Sequence, residues 1–255
     1  MQKIWVCGAR GQIGQAVNDV VDKLEFEMLD TDVDDLDVTD TDEVLRFGEM
    51  NRPDIIINCS GMTDISSCEE NPSQAFKVNA LGARNLAIVA AKMQAKMVQL
   101  STDDVFDGKS TEPYTEFDIT NPGTVYGKSK LAGENYVKEF TTKHFIVRST
   151  WVYGKGQNFI NGFLKKVDAG EQLSIASDQF GSPTSANELA RFLLHLVHTS
   201  EYGTYHATNK GVCSRYAFAQ EILKMTGKTA SMQPVPTVMS DFSKDRRMRC
   251  SIILL

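Results

Sequence analysis

The stretch KIWVCGARGQIG, residues 3–14, decides the fold. Its first five residues form a short apolar run that reads as a buried strand. Gly8, Gly11 and Gly14 follow at G-x-x-G-x-x-G spacing, and the pattern then turns helical to about residue 23. Glycine permits the tight turn and lets a pyrophosphate approach the backbone. The helix that opens on the loop offers free N–H groups and the positive end of its dipole to an anion. Three glycines alone also suit a plain turn. Strand, loop and helix in this order, with Arg10, Gln12 and Ile13 inside the loop, predict a dinucleotide site.

Outward from that site the chain alternates. Residues 25–29 read as a second strand, running into the acidic stretch DTDVDDLDVTD (30–40). Asp30 and Asp32 stand where a ribose-reading acid is expected, which favours NADH, whereas Arg10 would meet a 2′-phosphate and favour NADPH. Both cofactors stay open on this reading. Residues 41–51 look helical and stop before Pro53. DIIINC (54–59) is a continuous β-branched run of the kind covered on both faces of a parallel sheet. Helical patterns at 73–93 and 124–140 alternate with strand patterns at 96–101 and 144–149. The fold class is therefore α/β, a Rossmann-type doubly wound parallel sheet with a smaller C-terminal substrate-binding lobe. Residues 1–150 are assigned to the dinucleotide-binding domain, with 176–200 returning to it. Residues 151–175 and 201–255 are assigned to the lobe, and helices are expected near 158–169, 185–199 and 214–226.

A second stretch carries chemistry. NPGTVYGKSKLAGEN (121–135) places Tyr126 and Lys130 four residues apart on a helix, so they share one face. A free phenol, with a pKa of about 10, is a poor proton donor near neutrality, and a nearby cation favours its ionisation. Tyr126 can then protonate a carbonyl oxygen while hydride reaches the carbon. A hydroxyl at the end of the preceding strand, Thr102 in STDDVF (101–106), can polarise the same oxygen.

The net charge of −6 and pI of about 5.3 disfavour nucleic acid and anionic membrane as partners. The apolar run at the start is too short for a secretory leader, and no run of about 18 apolar residues predicts a membrane span. Five cysteines without a C-x-x-C pair fit free thiols in a reducing cytoplasm. His195 and His198 share a helix turn but lack a third ligand, so no metal is expected.

The ordered set GARGQIG, DLDVTD, STDDVF, VYGKSKLAGE, RSTWVYGKGQNF and DQFGSPT resembles the dTDP-4-dehydrorhamnose reductases, extended short-chain dehydrogenases/reductases, over residues 1 to about 253. The resemblance implies NADPH- or NADH-dependent reduction of the C4 ketone of dTDP-4-dehydro-L-rhamnose. It implies Thr102, Tyr126 and Lys130 as the catalytic trio, and Gly8, Gly11, Gln12, Ile13 and Gly14 as the pyrophosphate cradle. Asp37 and Val38 would flank the adenine, and Cys59, Ser60 and Gly61 would line the cofactor groove. Trp151 matches an aromatic position against the sugar. Departures from the pattern are Met62, Ser66, Ser67, Arg215 where tryptophan is usual, and Asp104 at a site position where tyrosine is usual. Arg247, in the cationic run SKDRRMR (243–249), is a candidate partner for the nucleotide-sugar diphosphate. The departures leave two alternatives open: a non-catalytic dinucleotide-binding regulatory protein, and a reductase or epimerase of another nucleotide sugar. A homodimer is compatible with either.

Overall fold

Strand and helix alternate from the first residues of the chain in the computed structural model, which describes residues 1–237. The first half runs β1 (Gln2–Cys7), α1 (Gln12–Val20), β2 (Phe26–Thr31), α2 (Thr41–Asn51), β3 (Ile55–Asn58), α3 (Ile65–Glu70), α4 (Pro72–Phe76), a π-helical turn (Lys77–Gly82), α5 (Ala83–Met93), β4 (Lys96–Thr102), α6 (Val125–Phe140) and β5 (His144–Ser149). The second half runs β6 (Val152–Tyr153), α7 (Phe159–Asp168), β7 (Leu173–Ala176), β8 (Phe180–Gly181), β9 (Thr184–Ser185), α8 (Ala186–Val197), β10 (Gly203–His206), β11 (Cys213–Ser214), α9 (Arg215–Thr226) and β12 (Met232–Val235).

Six strands form one parallel sheet in the order β10-β5-β4-β3-β1-β2. Both faces are covered, and strand alternation sorts the core. Ile4, Val6, Ile55 and Ile57 point to the face shared with α1 and α8. Trp5, Cys7 and Ile56 point to the face shared with α2 and α5. All four β3 residues are buried, which is why Ile55, Ile56 and Ile57 read as an unbroken apolar run, while the fourth, Asn58, donates to Gln99 at 2.8 Å.

The chain leaves β1 toward β2 on one side and returns to β3 on the other. That reversal opens a crevice at the carboxyl ends of β1 and β3, the usual binding place in such sheets.

A second, smaller core gathers Phe163, Leu173, Ile175, Ala219 and Ile222 from α7, β7 and α9. Three two-stranded pairings, β7 with β12, β8 with β11 and β6 with β9, accompany it. One segment departs from the expected division. Residues 203–206, grouped above with the lobe, form the edge strand of the large sheet and pair with β5 from Gly203–Phe145 to His206–Arg148. The crossover through α8, packed on α1, carries the chain back to that edge.

Candidate active site

The crevice holds a cavity of about 570 Å³, walled by Gly8, Arg10, Gly11, Thr31, Asp32, Val33, Leu36, Asp37, Val38, Cys59, Ser60, Gly61, Met62, Gln74 and Val78. Gly8 has φ +75°, and a Cβ there would lie 2.8 Å from the Ser60 nitrogen. A Cβ on Gly14 would lie 2.3 Å from the Gly8 carbonyl oxygen. These positions must be glycine for the β1–α1 turn to form. The first helix opens on Gly11 with no side-chain cap, leaving its N-terminal N–H groups uncapped by side chains at the cavity. A cradle without side chains, backed by a helix N-terminus, fits the pyrophosphate of a dinucleotide.

Most expected cofactor residues meet at this cavity. Asp37 and Val38 form one wall of it, beyond β2, and Cys59, Ser60 and Gly61 form the β3 side. Gln12 instead reaches across to the smaller unit. Its Nε2 donates to the Val152 carbonyl at 3.0 Å, and its Oε1 accepts from Asn158 at 3.0 Å. Ile13 packs against the core under the loop. Asp30 does not line the cavity; it is exposed, two residues short of Asp32, which does. The reason is strand length: β2 runs on to Thr31, so the first acid past the strand is Asp32. Arg247 lies outside the described residues.

Tyr126 and Lys130 both project from α6 and are 9% and 5% exposed. The Lys130 ammonium lies 3.7 Å from where a Gly61 side chain would begin, at the cavity edge. Burial pushes its pKa down from 10.5 to about 8, against the opposing pull of Glu134 and Cys59. The Cys59 thiol is pushed up to about 12 by burial, so it is a neutral wall rather than a nucleophile. The Tyr126 ring packs with Ile65, Cys68, Ala75 and Met62, of which Met62 also lines the cavity.

Thr102 ends β4. Its hydroxyl donates to Asp103 Oδ1 at 2.9 Å and accepts from the Asp104 nitrogen at 3.1 Å. Ser101 faces the other way and donates to Glu134 at 2.5 Å. Parity therefore removes Ser101 from consideration and leaves Thr102 on the side of the turn at 103–105. Gly127 docks α6 onto that turn, since a Cβ there would lie 2.0 Å from the Asp104 carbonyl oxygen. Behind the site, Glu134 is fully buried and takes two bonds from Arg148, at 2.9 and 2.7 Å. This pairing holds α6 to β5.

On the far side, Trp151 follows β5 with φ +46°. Its ring lies against Gly181, where a Cβ would come within 2.7 Å, and the Arg215 guanidinium covers it at 3.5 Å. Phe159 flanks the same guanidinium at 4.7 Å. Asp104 is buried under α6, and its charge, after burial and those of Asp64 and Glu69, helps raise the Cys68 thiol to about 11. Ser67 caps into Asp64 at the start of α3, through its N–H and its hydroxyl.

One residue escaped the sequence reading. Asn79, inside the π-helical turn, accepts from the Met62 nitrogen at 2.8 Å and donates to the Met62 carbonyl at 2.9 Å and to Ser129 at 2.9 Å. Its amide acts as a peptide mimic that ties the loop after β3 to the helix carrying Tyr126 and Lys130. Single-turn π segments often sit at functional sites. An asparagine within a helical pattern otherwise gives no sign of this.

Among the described residues, no group of three or more His, Cys, Asp or Glu is placed to hold a metal ion. No helix among them is long and apolar enough to cross a membrane.

Comparison with known proteins agrees with this geometry. The spore coat polysaccharide biosynthesis protein SpsK of Bacillus subtilis (strain 168) is 35% identical over 238 residues, covering 93% of this chain and 84% of its own length. A dTDP-4-dehydrorhamnose reductase structure from Clostridium acetobutylicum superposes with a TM-score of 0.96 at 40% identity, covering 99% of this chain and 90% of that one. The dTDP-4-dehydrorhamnose reductase of Bacillus anthracis, solved in complex with NADP, gives 0.96 at 36% identity, covering 100% and 92%. The profile described as the RmlD substrate binding domain matches residues 1–251, and the chain belongs to that family, the family of the dTDP-4-dehydrorhamnose reductases.

Proposed function

We propose that this oxidoreductase reduces the C4 ketone of dTDP-4-dehydro-L-rhamnose to give dTDP-L-rhamnose, using a reduced nicotinamide dinucleotide. The observation that carries the reading is the Lys130 ammonium, buried at the edge of the glycine-floored cavity and one helical turn from Tyr126. Gly8, Gly11 and Gly14 would hold the dinucleotide, which when bound would supply hydride to the ketone carbon. Tyr126 gives its phenolic proton to the C4 oxygen. Lys130 stabilises the phenolate left behind, and its pKa of about 8 keeps it mainly charged at neutral pH. Thr102 turns its hydroxyl from Asp103 to the same oxygen, a rotation that costs one hydrogen bond and gains another. Asp103 stays fixed meanwhile by Thr150, which donates to it at 2.6 Å. Trp151 with Arg215, and Asp104, bound the sugar side, and the smaller unit built on α7 and α9 carries part of that wall.

The test is direct. Purified protein is given dTDP-4-dehydro-L-rhamnose with NADH or NADPH, and loss of reduced-nicotinamide absorbance is followed. Consumption that disappears in Tyr126→Phe supports the assignment. No consumption, while a related reductase turns over in the same mixture, rejects it.

Reduction of a different nucleotide-sugar ketone is the second reading. It is favoured by Arg215 and Asp104, which depart from the family pattern at the sugar side. The same assay run with other 4-keto nucleotide sugars separates the two.

A further inference from the structure

We propose that the cavity selects the dinucleotide lacking a 2′-phosphate, NADH over NADPH, through Asp32, Asp34 and Asp35 acting around Arg10. The proposal rests on the dinucleotide reading of the cavity. With the pyrophosphate over the glycine loop, the adenosine ribose reaches the end of β2. Asp32 stands there in the cavity wall. Its Oδ2 accepts from the Arg10 backbone nitrogen at 2.8 Å and its Oδ1 from the Val33 nitrogen at 2.9 Å. Two main-chain donors thus fix the carboxylate, and its remaining lone pairs suit a ribose hydroxyl.

Arg10 is the one basic residue among the described residues lining the cavity, and so the natural partner for a 2′-phosphate. Its guanidinium is already engaged. Nη2 donates to Asp35 Oδ2 at 2.8 Å, and Nη1 lies 3.2 Å from Asp34 Oδ2. Asp35 Oδ2 also accepts from the Asp32 nitrogen at 3.0 Å, which braces the loop in this arrangement. Two aspartates thus hold the guanidinium, Asp32 holds the Arg10 backbone nitrogen, and Asp37 lies farther along the wall. A 2′-phosphate adds nearly two negative charges there. It must draw Arg10 away from two carboxylates or sit beside them uncompensated, whereas a 2′-hydroxyl requires neither. Arg10, Asp34 and Asp35 are more than half exposed, so solvent screening limits the discrimination to about tenfold.

The experiment titrates the intact protein with NADH and with NADPH, without sugar nucleotide, following nicotinamide fluorescence and the shift in melting temperature. NADH is expected to bind about tenfold more tightly at low salt, with the gap narrowing as salt is raised. The double substitution Asp34→Asn with Asp35→Asn should tighten NADPH by about tenfold and leave NADH nearly unchanged. Equal or tighter NADPH binding by the unaltered protein overturns the proposal, as does an unchanged ratio in the double variant. Binding of neither dinucleotide overturns the cavity reading and this proposal together. A clear NADH preference without turnover of the rhamnose precursor leaves this proposal standing and rejects only the substrate.

Discussion

Replacing Lys130 with methionine should make the protein more stable at neutral pH while removing its activity. The ammonium is buried, and burial holds its pKa at about 8 instead of 10.5. At about 1.4 kcal/mol per pH unit, that difference is a cost of roughly 3 kcal/mol to folding whenever the group is charged in both states. Between pH 8 and 10.5 the unfolded chain binds a proton that the folded chain has released. The stability of the unaltered protein therefore rises with pH across that window, and the full cost is present below it. Methionine fills similar volume without the charge. Lys130→Met should thus be more stable at pH 7 by up to about 3 kcal/mol, and the gap should shrink by about 2 kcal/mol at pH 9.5. Other groups titrating in that range are present in both proteins and cancel in the difference. The assay is urea unfolding of both proteins at the two pH values and constant ionic strength, with turnover measured in parallel. A variant less stable than the parent at pH 7, or a gap that does not change with pH, refutes the argument.

Further outcomes are expected. Tyr126→Phe should lower turnover by about 10²-fold or more while the dissociation constant for the dinucleotide, by fluorescence titration, changes little. Glu134→Gln leaves the buried Arg148 without its counter-charge and should cost about 3–5 kcal/mol of stability in urea unfolding. The His206 ring is held at about 4, below its usual 6.5, by burial and by Arg148, despite the opposing pull of Glu116. Because the unfolded chain takes up that proton first as pH falls, stability should drop between pH 6.5 and 4. His206→Gln should flatten that part of a melting-temperature profile, and an unchanged slope would count against the assignment.

Particular residues explain what could be read from the sequence. Ile55, Ile56 and Ile57 advertise a strand buried on both faces, because every position of such a strand meets a helix. Tyr126 and Lys130 were legible because helical spacing fixes a shared face without knowledge of the rest of the fold. Asp30 misled because the acid that lines the cavity is set by where β2 ends, and strand ends are poorly marked by composition. Residues 203–206 misled because four residues carry too little pattern to show which sheet they join. Glu134 looks like an exposed partner for Lys138 four residues on, at 3.8 Å, yet its main partner is Arg148 on a neighbouring strand. Contacts of that kind exist only once the layers have packed. The same holds for Asn79, whose partners lie 17 and 50 residues away.

The π-helical turn at Lys77–Gly82 makes that region intolerant of changes in length. Deleting a single residue there would restore ordinary helical bonding, a local gain. It would also swing Asn79 by about 100° relative to α5, away from Met62 and Ser129. A one-residue indel would thereby unfasten the loop after β3 from α6, a shift in register that side-chain adjustment cannot restore.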